Sequence, residues 1–236
     1  MIRLDKFLAD QNAGTRSEIK KEIRKGLAAV NHTVVKDPGF LLDGSEEVEF
    51  RQTLWTYEEK VYYMLNKPAG VVSATHDEKE KTVLDLISVL PRKNIFPVGR
   101  LDKDAEGLLL LTNDGDLAHR LLSPRHHVDK TYYVRVQGIL SKKDIEAFAS
   151  GMHLSSDFTA KPAGLVILKS DDFSEAEVTI REGKFHQVKR MFRAVGKEVL
   201  YLKRISMGPV CLDDKLKPGE YRRLNDDEIR ALGEVK

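Results

Sequence analysis

The sequence predicts an α+β protein, with a small helical N-terminal module and a larger, strand-rich remainder. Apolar residues recur at helical spacing in the first fifty positions, as Leu4, Phe7 and Leu8 and then as Ile19 and Ile23. A polar stretch, RQTLWTYEEK at 51–60, holds few core-forming residues beyond Leu54, Trp55 and Tyr57 and reads as a linker. From Val61 onward the texture changes to short β-prone runs separated by turn residues. The expected division is therefore 1–59 and 60–236.

The N-terminal elements follow in order. The first helix breaks at Gly14-Thr15-Arg16-Ser17, where Ser17 is the expected N-cap of a second helix. That helix ends near Gly26, and VNHTVV at 30–35 reads as strand, turn, strand. Beyond the linker, Val61 to Leu65 is a strand that Asn66-Lys67-Pro68-Ala69-Gly70 turns into Val71-Val72-Ser73. A helix is expected over Thr82 to Ile87 with Thr82 as cap, and another over Leu117 to Leu122, stopped by Pro124. Between them, Leu108 to Leu111 is a continuous apolar run too short for a membrane span, hence a buried strand. Asp114-Gly115 should close it in a tight turn, since glycine tolerates positive φ. Alternation along Lys130 to Val136 puts Tyr132, Val134 and Val136 on one face. Ser141 to Ser150 is a capped helix, and Lys161 to Leu168 and Ala176 to Ile180 are strands. Phe185, Val188 and Phe192 fall at helical spacing, and a short final helix closes the chain.

Composition narrows the function classes. A 41% apolar share is enough for ordinary cores. MIRLDKFLAD lacks an apolar signal-peptide centre, and Cys211 is the single cysteine; both lead to the expectation of a cytoplasmic, reducing location. Cys and His spacing fits no zinc site, and His126 and His127 suit a surface or capping role better than ligation. Net charge is only +2, yet residues 16–25 carry five basic side chains against two acidic, and residues 181–204 carry eight against two. Taken singly, such runs are usually solvated faces; two of them in a near-neutral protein suggest patches aimed at phosphates.

Two motifs add chemistry. VGRLDKDAEGLLLLTNDG at 98–115 places Asp102 on the loop entering the buried strand, where a carboxylate is either a turn cap or a working group. Spacing alone favours the cap. However, GRLDxDxxGLLLLTNDG resembles the catalytic-aspartate motif of pseudouridine synthases, in the branch named for ribosomal small-subunit pseudouridine synthase A. NKPxGxxS at 66–73, KTYYV at 130–134 and the run from Glu182 to Phe192 resemble the other motifs of that family. Where relatives often carry Thr or Ser, this chain has Ala105. RLDKFLA, TRSEIKKEIRKG and AVNHTVVKDP resemble the S4 RNA-binding domain, with His32 standing where glycine is common.

The resemblance implies an S4-like domain followed by a catalytic domain built on a mixed or antiparallel sheet with flanking helices. It implies Asp102 as catalytic carboxylate, Tyr132 as the residue stacking on the base, and Lys189 as the cation paired with Asp102. By pattern alone, Tyr132 is more often a core aromatic. Lys67 and Leu202 are expected to shape or line the cleft, and Arg100 to contact the extruded nucleotide or fill its place. Arg3, Arg16, Lys20, Lys21, Arg24 and Arg190 are expected on RNA. Isomerising uridine requires no cofactor or metal, in keeping with a chain that lacks a P-loop or dinucleotide fingerprint. The expected partner is 16S rRNA, with the protein acting as a monomer and away from membranes. The choice of 16S rests on the N-terminal module and on a chain ending at Lys236 without a long basic tail. The competing readings are a 23S enzyme of the same family, a non-catalytic ribosome-assembly factor, and a glycosidase. The last would need a second carboxylate, and none stands out.

Overall fold

The computed structural model describes all residues except 12, 57–59, 88–93, 124–127, 157 and 236. Pro124, His126 and His127 thus lie outside the described residues. The chain divides into two compact units, Met1–Val61 with Ile87–Ile95, and Tyr62–Leu86 with Phe96–Lys236.

The first unit contains β1 (Ile2–Arg3), α1 (Leu4–Asp10), α2 (Arg16–Arg24), β2 (Ala28–Val30), β3 (Thr33–Val34), β4 (Leu41–Leu42), β5 (Glu47–Phe50) and β6 (Thr53–Thr56). The helices bury Leu4, Phe7, Leu8, Ile19 and Ile23 against Ala28, Val30, Val48 and Phe50 of a sheet ordered β3-β2-β5-β6. The cap of α2 is Thr15, not Ser17. Its hydroxyl accepts from the Glu18 amide at 3.3 Å while the Glu18 carboxylate accepts from the Thr15 amide at 3.0 Å, so the T-x-x-E spacing decides the start. Asn31 and His32 both have positive φ, +47° and +65°, as a two-residue hairpin turn needs. The segment expected as linker differs. Arg51 and Gln52 adopt φ of +53° and +63°, and Thr53–Thr56 returns as a strand against Glu47–Phe50. Trp55, opposite Val48, packs on this unit's core. Arg and Gln lack the usual signature of such a turn, which is why the hairpin reads as a linker.

The second unit holds β7 (Tyr62–Lys67), β8 (Phe96–Pro97), β9 (Glu106–Thr112), α3 (Gly115–Leu122), β10 (Lys130–Gln137), α4 (Lys142–Ser150), β11 (Met152–Ser155), β12 (Phe158–Ala160), β13 (Gly164–Lys169), β14 (Phe173–Ile180), α5 (Gln187–Ala194), β15 (Glu198–Met207), β16 (Val210–Cys211), β17 (Tyr221–Arg223) and α6 (Asp226–Gly233). Its main sheet runs β13-β14-β10-β15-β9-β7-β17, with β8 on β9 and β16 on β15. Every pairing is antiparallel except β15 with β9, so the sheet is mixed, as expected. Leu108 to Leu111 are all buried, with Leu108 and Leu110 in a core that also takes Leu117, Ala118 and Leu121 of α3 and Leu232 of α6. At roughly 1.5–3 kcal/mol per buried leucine, this strand is the fixed end of the Asp102 loop.

Gly107 shows why the strand begins as it does. Its φ is +100°, and a Cβ there would lie 2.2 Å from the Arg204 carbonyl oxygen on β15, so the two backbones meet only over glycine. Gly115 has no such role: Asp114 caps α3, its Oδ1 accepting from the amides of Asp116 and Leu117 at 3.1 Å, so the expected glycine turn is a helix start. Thr82 opens only a single 3-10 turn, Val83–Leu86, and Val71–Ser73 forms no strand beyond a bridge from Val72 to Thr82.

Candidate active site

The Asp102 loop is clamped by the NKPAGVVS segment. The Lys67 ammonium, fully buried at the end of β7, donates to the carbonyls of Pro68 at 3.0 Å, Lys103 at 3.3 Å and Ala105 at 2.8 Å. The Gly70 amide donates to the Lys103 carbonyl at 2.8 Å. Ser73 Oγ accepts from the Leu101 amide at 3.0 Å and donates to the Leu101 carbonyl at 2.9 Å. The backbone on both sides of Asp102 is thereby fixed by bonds from one segment, leaving the side chain to point elsewhere. Burial pulls the Lys67 ammonium down to about 8, against the opposing pull of Asp104, Glu106 and Asp102. Lys67 is enclosed by these carbonyls and is not among the residues that border the hollows beside Asp102.

The cation side comes from α5. Val188, Met191 and Phe192 are buried on one face, with the Phe192 ring 4.9 Å from that of Phe148 on α4. This packing turns Lys189 toward the loop. Its ammonium lies 3.7 Å from Asp102 Oδ2 and 2.6 Å from both oxygens of Asp104. The hydrogen bond from Lys189 holds the Asp104 carboxyl below the usual carboxylate range. His186 Nε2 lies 3.6 Å from Asp102 Oδ1. Asp102 thus sits between two nitrogens, neither of which hydrogen-bonds it, and its side chain keeps 22% exposure. Lys189 is shared between the two carboxylates, and the closer bond goes to Asp104.

Two adjoining hollows open on Asp102. The inner one, about 60 Å³, has Leu101, Asp102, Tyr132, Ile180, Val188 and Leu202 among its walls. The outer, about 470 Å³, is bounded by Ser73, Lys103, Lys184 and Phe185. Arg100, Asp102 and His186 border both. Tyr132 on β10 and Leu202 on β15 are both buried; Tyr132 pairs with Arg204 and Leu202 with Val134, two positions along the same strand pair. Asp102, Tyr132, Lys189, Arg100 and Leu202, named separately from sequence, are therefore brought to one place, though Lys189 reaches it as an ion partner rather than as a wall.

The basic runs behave differently from expectation. Arg204 is buried in the sheet, its Nε donating to the Leu108 carbonyl at 2.8 Å. Arg190 bonds Ser155 Oγ at 2.9 Å and lies over the Phe158 ring at 5.2 Å, so it is engaged within its own unit. In the first unit, Arg3, Arg16 and Lys20 surround the fully buried Asp5 at 3.1, 3.3 and 3.6 Å, while Lys21 and Arg24 are exposed. Burial pushes the Asp5 carboxyl up, and the hydrogen bonds from Arg3 and Arg16 outweigh it, leaving the group below its ordinary value.

Sequence reasoning missed His186 and Phe185. Phe185 was assigned to the helix by spacing, but α5 starts at Gln187, and His186 precedes it with φ of +51°. A non-glycine residue in that region is uncommon, and no sequence pattern marks it here. No helix among the described residues is long and apolar enough to cross a membrane.

Residues 61–194 match the family model described as RNA pseudouridylate synthase, and residues 2–48 match the S4 domain. The chain is 46% identical to the Bacillus subtilis (strain 168) protein named uncharacterized RNA pseudouridine synthase YtzG, over 99% of both chains. It is 40% identical to ribosomal small subunit pseudouridine synthase A of Yersinia pestis, over 98% of both. A solved crystal structure of a pseudouridylate synthase, 40% identical, covers 98% of this chain and 100% of its own with a TM-score of 0.69. With its S4 domain, its synthase region and full-length relatives of this identity, the chain belongs to the RNA pseudouridylate synthases, in the branch of ribosomal small-subunit pseudouridine synthase A, and is an isomerase acting on RNA.

Proposed function

We propose that this enzyme isomerises a specific uridine of 16S rRNA to pseudouridine, with Asp102 as the catalytic carboxylate. The observation that carries the proposal is the state of Asp102: ion partners at 3.6 and 3.7 Å, no hydrogen bond from either, and a hollow in front of it. In the reaction the bond from uracil N1 to ribose C1′ breaks, the base turns, and C5 bonds to C1′; C5 gives up its proton and N1 gains one. The carboxylate meets the electron-poor sugar as nucleophile or as electrostatic partner, and the sugar-side route, through a glycal-like intermediate after loss of the C2′ proton, is the one favoured here. Lys189 and His186 flank it at 3.7 and 3.6 Å. Tyr132 stacks on the base and serves as general base, Leu202 forms the apolar wall, and Arg100 contacts the extruded nucleotide.

The N-terminal domain, residues 1–59, anchors the RNA through Arg3, Arg16, Lys20, Lys21 and Arg24, and residues 60–236 form the catalytic domain of a cytoplasmic monomer. The small-subunit substrate is supported by the relatives bearing that name. Incubation with 16S and 23S transcripts and with small-subunit particles, followed by mapping of pseudouridine, tests it. One modified position in 16S RNA or its particle is expected. Modification of 23S alone would overturn the substrate, and no modification anywhere would overturn the reading.

A further inference from the structure

Phe185 projects from the rim of the outer hollow and is 77% exposed, although transfer from water would favour hiding such a ring. Single exposed apolar residues are ordinary on surfaces, but this one is held in place. Its ring stacks on that of His186, with centroids 3.8 Å apart and planes 19° from parallel. The backbone beneath is pinned by buried Gln187, whose Oε1 accepts from the Lys184 amide at 3.1 Å and whose Nε2 donates to Glu182 at 2.9 Å. The Gln187 amide closes the turn onto the Lys184 carbonyl at 3.0 Å. His186 sits in the left-handed region at φ +51° and reaches Asp102 with its other edge. One face of Phe185 is covered by imidazole, and the ring's high exposure leaves the other open. Arg100 and Lys184 border the same hollow, as do Asp77, Asp102 and Lys103, the last ion-paired with Glu80 at 2.7 Å. An open aromatic face with cations beside it is how proteins hold an unpaired nucleotide: the ring takes the base and the cations take the phosphates.

We infer that Phe185, backed by His186, is a stacking platform for an unpaired nucleobase directly flanking the target uridine, and so a determinant of which uridines are accepted. The inference rests on the proposed function, in which the target itself occupies the inner hollow. It places the flanking base outside, where extrusion of the uridine has removed its stacking neighbour.

The test uses the full chain as wild type, Phe185→Ala and Phe185→Tyr. The RNA is a synthetic hairpin with one unpaired uridine between unpaired neighbours, prepared intact, with an abasic 5′ neighbour and with an abasic 3′ neighbour. Dissociation constants and turnover are both measured. Phe185→Ala is expected to weaken binding of intact RNA roughly 5- to 100-fold, and Phe185→Tyr to bind like wild type. On one of the two abasic RNAs, wild type and Phe185→Ala should bind alike. An equal penalty on all three RNAs, or none on the intact one, would overturn the platform. If the binding pattern holds while wild type makes no pseudouridine, the platform stands and the proposed reaction fails.

Discussion

Asp5 and Asp102 each have more than one basic side chain beside them, and the contrast between them sets an acid saturated by hydrogen bonds against one left open. Asp5 is fully buried, and its oxygens take hydrogen bonds from the guanidinium groups of Arg3 and Arg16, with Lys20 at 3.6 Å. Three cations against one anion leave the cluster positive at the surface, where a phosphate can be met. Asp102 lies at the end of a clamped loop, with the His186 imidazole at 3.6 Å and the Lys189 ammonium at 3.7 Å, neither hydrogen-bonding it, and a hollow ahead of it. The first arrangement saturates a carboxylate to hold a domain together. The second leaves one without a hydrogen bond from either neighbour, facing a hollow.

Lys189→Met should have the largest effect on this contrast. It removes the cation shared by Asp102 and Asp104, leaving two carboxylates side by side. Turnover should fall about 100-fold, the size expected for loss of one preorganised charged donor. An unchanged rate would mean that His186 alone sustains Asp102. Asp5→Asn should do the reverse: a loss of about 1.5–3 kcal/mol in stability, the value of hydrogen bonds to a charged group, with kcat at saturating RNA unchanged. Thermal melting and saturation kinetics on one preparation read both quantities, and a loss of kcat without a loss of stability would erase the distinction.

A smaller effect is expected on pH. Asp5, held low by its partners, stabilises the fold above the ordinary carboxylate range and ceases to as pH falls through its own lowered value. Lys67 and Lys130 are lowered to about 8, both mainly by burial. Between that value and about 10.4 the unfolded chain holds protons that the folded chain lacks, so stability rises with pH. Burial and the bond to Asp114 raise Tyr62 to about 12, so above about pH 10 the unfolded chain sheds a proton first and stability falls. The melting temperature should therefore climb from pH 8 to a maximum near pH 10. A steady fall from pH 7 would contradict these assignments.

Much of this was legible in the chain. The run Leu108–Leu111 read most economically as a buried strand, and period-2 alternation put Tyr132, Val134 and Val136 on one face, which is the buried one. The long motif around Asp102 carried the family. Ion partners were less legible, because they depend on which of two neighbouring carboxylates a lysine reaches. Lys189 could be matched to Asp102 by family pattern, but the 2.6 Å bonds to Asp104 follow from the direction of α5. The burial of Lys67 and Arg204 was hidden for a related reason: composition counts them as surface charge, whereas backbone carbonyls inside the fold can bind a cation as water would. Positive φ at Arg51, Gln52 and His186 has no sequence signature in those residue types, and with it went the β5–β6 hairpin and the aromatic pair at the rim.

The central claim is that Asp102 is held for chemistry rather than for folding, and Asp102→Asn tests it most directly. Pseudouridine yield on the wild-type substrate should be measured at one enzyme per RNA, alongside the RNA dissociation constant and the melting temperature. The account predicts no pseudouridine, an unchanged dissociation constant, and a melting temperature within the roughly 2–4 °C that 1 kcal/mol would produce. Pseudouridine formed by this variant, or a melting temperature that collapses with the activity, would contradict it.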